Sequence, residues 1–184
     1  MKRANFPKKQ GLYDPAFEHD SCGVGFICDI KGEKTNALVK DAVNALCRLS
    51  HRGAVGADPK TGDGAGILIQ MPHDFFCKVS SQASLDLPDY GSYGTGLIFL
   101  PLKKEEHAFC KNVIEKVVRD EKQIVLGWRT VPVDDSTIGE VAKRTKPVIE
   151  QIFIKKGDAL SEQLQFERKL YVIRRRVENI IAKS

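Results

Sequence analysis

The sequence predicts an α+β fold, with helices layered on a mainly antiparallel sheet. Two observations carry this expectation. Strand-like runs such as "GTGLIFL" and "VIEQIFIKK" and helix-like runs with a 3.6-residue apolar period are both abundant along the 184 residues. The two kinds of segment also fail to alternate with the regularity that a doubly wound parallel sheet requires.

Taken in order, residues 1–21 are polar, punctuated by Pro and Gly, and follow neither a 2- nor a 3.6-residue pattern, so they read as an extended arm. "GVGFICDI" (23–30) reads as a strand and "KGEK" as the turn after it. From Asn36 to His51 the apolar residues Leu38, Val39, Ala42, Val43, Leu46 and Leu49 share one helical face, which puts Cys47 in or near the core. "RGAVGADPKTGDGAG" (52–66) is too rich in glycine for either regular element and is a loop, leading into a strand "ILIQM" (67–71). "PHDFFCK" (72–78) is a short helical turn, with Pro72 tolerated at its start. After a loose stretch, "GTGLIFL" (94–100) is a buried strand.

The run 103–122 is a strongly amphipathic helix with Phe109, Val113, Ile114 and Val117 on its apolar side. "IVLGWRTVPV" (124–133) is a strand. Thr137 and Glu140 have capping-box spacing before a short helix that must end near Lys146-Pro147. "VIEQIFIKK" (148–156) alternates as a strand, and a long helix covers Ser161 to Ala182.

A hydrophobic fraction of 42% and a charged fraction of 29% are those of a folded soluble protein. The net charge of +5 is diffuse, with no aromatic-basic interleaving or basic stripe outside the last helix, which argues against nucleic acid as a partner. No apolar run approaches a membrane span, and the basic N-terminus lacks the apolar core of a secretory signal. Five cysteines, an odd number without a C-x-x-C pair, fit a reducing compartment, so a cytoplasmic location is expected.

Among the candidate chemical groups, Gly62, Gly64 and Gly66 run into a strand, whereas a dinucleotide fingerprint opens a helix, and no P-loop Lys follows. Their plainer role is turns and close backbone packing, with a loop that brings Arg52 and backbone N–H groups to a ligand as the alternative. The four histidines, His19, His51, His73 and His107, have no metal-ligand spacing, so no metal is expected. Arg174, Arg175 and Arg176 read as a solvated helix face or a contact to a neighbouring domain.

Cys22 is the sharpest candidate. Glycines at Gly23 and Gly25 suit a buried cysteine poorly, because they weaken the strand that would bury it. One alternative is a thiol activated by its own α-amine. That amine has a pKa of about 7.7–8.0 and can take the thiol proton once residues 1–21 are removed. A buried cysteine, and a Cys22–His51 dyad formed in three dimensions, remain alternatives on spacing alone.

"EHDSCGVGFICDIKG", "LSHRGAVGADPKTGDGAGILIQMPHDFF", "GWRTVPVD" and "FERKLYVIRRR" closely resemble the N-terminal class II glutamine amidotransferase domain of the glutamate synthase large subunit. The resemblance covers nearly the whole chain. It implies a four-layer αββα sandwich of the N-terminal-nucleophile hydrolase type, with only its N-terminal half present over residues 22–184 and a propeptide-like arm over 1–21. It implies hydrolysis of glutamine to glutamate and ammonia through a Cys22 thioester, with Arg52 beside the site on the substrate side. It also implies an ammonia channel to a synthase domain that carries FMN and an iron–sulfur cluster, with no cofactor in this chain itself. The family's Asn-Gly oxyanion donors and its main glutamine-carboxylate residues have no counterpart here. Losing one such donor typically costs about 10²–10³ in rate. Two functions therefore stand side by side: a glutaminase, or a truncated or split remnant that works only with a separately encoded remainder.

Overall fold

The structure is a computed structural model and describes residues 9–11, 23–50, 58–62, 64–82 and 85–183. The chain divides into two compact units, Met1–Gln70 and Met71–Ser184.

In the first unit, helix α1 spans Asn36–Arg48. Thr35 begins it: its extended backbone lets the hydroxyl accept the Leu38 N–H at 3.3 Å, satisfying a donor the first turn leaves orphaned. The expected turn before it is present. The Asp29 carboxylate accepts from Lys31 N at 2.8 Å and Glu33 N at 3.2 Å, and Gly32 takes a φ of 76°.

Three expectations in this unit need correction. The apolar stripe of α1 is only partly covered, with no residue fully buried, and Cys47 is exposed rather than in the core. Residues 23–30 and 67–71 are not strands: both run without ladder partners, and Val24, Phe26 and Leu68 stand at 92%, 89% and 101% exposure. A strand exists only when another segment supplies its hydrogen bonds, and no described segment does so here.

The second unit is built on a sheet of β1 (Tyr93–Leu100), β2 (Ile124–Thr130) and β3 (Val148–Lys155) in the order β1-β3-β2, antiparallel throughout. The α+β expectation holds here. Thr95 pairs with Phe153 and Trp128 with Ile152, and a bulge lies between Val125 and Gly127. Central β3 alternates, so successive side chains enter different layers. On one face Ile152 and Ile154 pack with Ile114, Val117 and Val118 of α3 (Lys104–Asp120) and Ile173 of α5 (Gln163–Ile181). At Gly94 a Cβ would stand 2.4 Å from Leu170 Cδ1, so a larger residue there would make the Leu170 side chain shift.

On the other face Phe153 packs with Tyr93 and with Phe76 of α2 (His73–Gln82), against Val79, Leu85 and Leu126. Farther along this face Leu97 and Phe99 remain uncovered, at 53% and 65% exposure.

The remaining differences are local. The turn expected at 72–78 extends into the full helix α2. Helix α3 buries Cys110 with Ile114 and Val117, leaving Phe109 at 44% exposure, so its buried stripe is rotated from the expected one. β2 stops at Thr130: Val131 N still reaches Ile149 O at 3.0 Å, but Pro132 has no N–H to continue. Helix α4 (Glu140–Thr145) has Gly139 as its cap with no side-chain bond. The Thr137–Glu140 box does not form, because Glu140 falls at the first helical position rather than the third. Among the described residues no helix is long and apolar enough to cross a membrane.

Candidate active site

Both residues expected to carry the chemistry, Cys22 and Arg52, lie outside the described residues, as do His19 and His51. What is described are the segments that lead into and out of them. Gly23–Ile30, which follows position 22, is exposed chain without regular secondary structure. Helix α1 ends at Arg48, and its C-cap Leu49 donates to the Ala45 and Leu46 carbonyls, so the helix closes three residues before Arg52.

Past Arg52 the loop tightens at Asp58. Its carboxylate accepts from Lys60 N at 3.0 Å and Thr61 Oγ1 at 3.0 Å, while Thr61 N reaches Asp58 O at 2.9 Å. Gly64 then takes a φ of 86°, a conformation open to glycine at little cost. The loop reading of 52–66 therefore holds for its described part.

The second unit contains polar groups that spacing did not single out. Glu150 on β3 accepts from His107 Nε2 at 2.9 Å and Lys111 Nζ at 2.6 Å, both on α3. Lys111 also lies 4.5 Å from the Trp128 ring centre, and Trp128 Nε1 donates to Glu115 at 2.9 Å. Glu121, after α3, accepts from Lys169 Nζ at 2.6 Å and Arg176 Nη1 at 2.5 Å on α5. The Lys169 bond first, and then Arg176, hold the Glu121 carboxyl below its ordinary range. These groups tie helices to the sheet and to each other. Arg174 and Arg175 pair with Glu178 on their own helix, and Arg176 turns toward α3.

A smaller cluster on α2 has a different character. His73 Nδ1 lies 2.9 Å from Tyr93 Oη, and Cys77 Sγ lies 3.5 Å from His73 Nε2. Tyr93 is buried, and burial raises its hydroxyl above the ordinary phenol range, with Cys77 and Tyr90 adding to the rise. The H-x-x-x-C spacing at 73 and 77 was readable as an i, i+4 pair on one helical face. Tyr93, twenty residues on, joins it only through the fold.

Among the described residues no three His, Cys, Asp or Glu side chains converge as a metal site. An open cleft lined by Phe99, Leu102, Glu106, Thr145 and Pro147 holds neither a cysteine nor a histidine.

A model of the glutamine amidotransferases, class II, matches residues 22–184. The chain belongs to that family. This amidotransferase chain is 47% identical over 179 residues to the glutamate synthase [NADPH] large chain of Bacillus subtilis, covering 97% of this chain and 12% of that protein. It is 40% identical over 183 residues to glutamate synthase [NADH] of Schizosaccharomyces pombe, covering 97% of this chain and 9% of that one. With the glutamate synthase [NADPH] large chain of Azospirillum brasilense it shares 40% identity over 170 residues, 92% of this chain and 11% of that protein. The amidotransferase chain thus spans about a tenth of the length of the curated relatives it matches. The resemblance that the motifs carried is therefore the correct one.

Proposed function

We propose that this chain is the opening part of the glutaminase domain of a glutamate synthase, hydrolysing glutamine to glutamate and ammonia through Cys22. The observation that carries the proposal is that the family match opens at residue 22, with the expected nucleophile as its first residue. In this reading residues 1–21 are an arm whose removal frees the α-amine of Cys22, and residues 22–184 are the N-terminal part of the domain. The thiol gives its proton to that amine and attacks the γ-amide carbon. Ammonia leaves with a returned proton, and water hydrolyses the γ-glutamyl thioester. Arg52 supports the site from the substrate side.

The complete fold proposed is the four-layer αββα sandwich. Helices α3 and α5 with the β1-β3-β2 sheet have the form of one helix layer and one sheet layer. The uncovered Leu97 and Phe99 suit a second sheet packed on that face. Residues 23–30 and 67–71 have strand composition and no ladder, which suits strands that pair within a longer chain of the kind the relatives have.

The same exposure favours a second reading, in which activity requires a remainder carrying the oxyanion donors and the carboxylate clamp. FMN and an iron–sulfur cluster would belong to the synthase body. Among the described residues Cys28, Cys47 and Cys77 are exposed, Cys110 is buried, and none of them belongs to a group of three converging ligands.

The test is intact mass with and without a glutamine analogue carrying an electrophilic carbon in place of the side-chain amide. The proposal expects loss of residues 1–21, a single adduct on Cys22, and none in Cys22→Ser. A chain that keeps Met1 and stays unlabelled, even when co-expressed with the following segment of a relative, rejects it. Labelling only on co-expression selects the second reading.

A further inference from the structure

Outside the proposed active site, His73, Cys77 and Tyr93 form a connected chain of groups. Cys77 Sγ lies 3.5 Å from His73 Nε2 and 3.9 Å from Nδ1, and Nδ1 lies 2.9 Å from Tyr93 Oη. With the imidazole proton on Nδ1, that nitrogen donates to the Tyr93 oxygen. Nε2 is then bare and able to accept the thiol proton. Tyr93 is 2% exposed and rests on Phe153 at 6.3 Å, so the inner end of the chain is anchored in the core. The outer end is open: Cys77 is exposed, and Tyr90, whose ring meets His73 edge-on at 6.1 Å, is 50% exposed. Among the described residues Cys77 is the one thiol with an imidazole in hydrogen-bonding reach. Cys28 and Cys47 are exposed without one, and Cys110 is buried.

We infer that Cys77 is a site of thiol–disulfide exchange with low-molecular-weight disulfides, with His73 as general base and Tyr93 as the residue that positions it. In the step, Nε2 takes the Sγ–H proton as the sulfur attacks one sulfur of a disulfide R–S–S–R. A Cys77 Sγ–S–R bond forms, the R–S–S–R bond breaks, and the departing thiolate recovers the proton from the imidazolium as R–SH. The added disulfide is the oxidant: each exchange turns one protein thiol and one disulfide into one mixed disulfide and one free thiol. A mixed disulfide on this outward surface of α2 leaves the buried Phe76–Phe153 contact untouched.

The experiment exposes the folded chain to limiting oxidised glutathione at neutral pH and follows each cysteine by peptide mass. Cys77 should be modified about tenfold faster than Cys28 and Cys47, a modest share of what a positioned base supplies because thiols already ionise slightly at this pH. His73→Gln should bring Cys77 to the rate of the other two. Tyr93→Phe should give an intermediate rate, and continued protection of Cys110 reports that each variant is folded. Equal rates at Cys77, Cys28 and Cys47 in the unmutated chain overturn the inference, whatever the variants do. So does a folded His73→Gln, or a folded Tyr93→Phe where the first does not fold, in which Cys77 keeps its advantage unchanged.

Discussion

Gln123 Oε1 accepts the backbone N–H of Gly157 at 2.8 Å, joining the turn after α3 to the turn after β3 across thirty-four positions. The same side chain donates through Nε2 to Glu121 O at 2.9 Å and is 5% exposed, so both of its ends are satisfied inside the protein. Gly157 sits against this turn so closely that a Cβ would lie 2.1 Å from the backbone oxygen of Lys122. A backbone atom cannot rotate away as a side-chain methyl can.

Gly157→Ala should therefore lower stability by about 2 kcal/mol or more, through overpacking against backbone. Gln123→Ala should cost about 2 kcal/mol, by leaving the Gly157 N–H without a partner. Urea unfolding followed by circular dichroism measures both. A midpoint in either variant equal to that of the unmutated chain would contradict the lock.

Lys122 holds a φ of 60° at the end of α3, where Lys122 N bonds Arg119 O and Gln123 N bonds Val118 O, both at 2.9 Å. This pair of bonds is a Schellman ending, whose left-handed residue is ordinarily glycine. A lysine there bears a Cβ clash of about 1 kcal/mol. Lys122→Gly should stabilise the chain by roughly that amount, seen as a higher thermal midpoint, whereas a lower midpoint would count against the reading.

Phe153 is fully buried and meets Phe76 edge-on at 5.6 Å. Phe153→Ala should cost about 3–5 kcal/mol, because it removes the ring that joins α2 to the sheet and leaves a cavity. Phe153→Leu should retain most of that. Calorimetry on both variants separates loss of volume from loss of an aromatic contact.

Glu121 titrates below the ordinary carboxylate range because Lys169, and after it Arg176, hold its anion. Its folded value is depressed, so its contribution is present above the ordinary carboxylate range and fades as pH falls through that lowered value. Lys169 and Arg176 remain 39% and 43% exposed, which limits each contact to about 0.5 kcal/mol. Glu121→Gln should lose stability at neutral pH and approach the unmutated chain in acid. Urea midpoints across pH test this, and a constant gap at all pH values would rule it out. Added salt should narrow the neutral-pH gap.

The family was more legible in the sequence than the geometry. "HDSCGVGF" and "LSHRGAVGAD" carried the family, which the match over 22–184 bears out. Cys22 and Arg52 lie outside the described residues. The elements that held their expected places are those whose own period identifies them. Alternation placed β3, and the 3.6-residue pattern placed α3 and α5. A helix makes its hydrogen bonds within itself, so its period is set by its own residues.

What only the tertiary structure decided concerns partners distant in the chain. "GVGFICDI" and "ILIQM" have the residues of strands, yet neither is one among the described residues, because a strand is made by its neighbour. Cys110 rather than Phe109 turned inward on α3, since the shape of the facing helix and sheet selects which edge of an apolar stripe is buried. His73 and Cys77 were adjacent on paper, but the hydroxyl that orients the imidazole arrives from β1. Sequence determined which local structures this chain favours and which family its motifs belong to. The fold determined which of those groups touch, because contact between residues far apart depends on how whole elements pack.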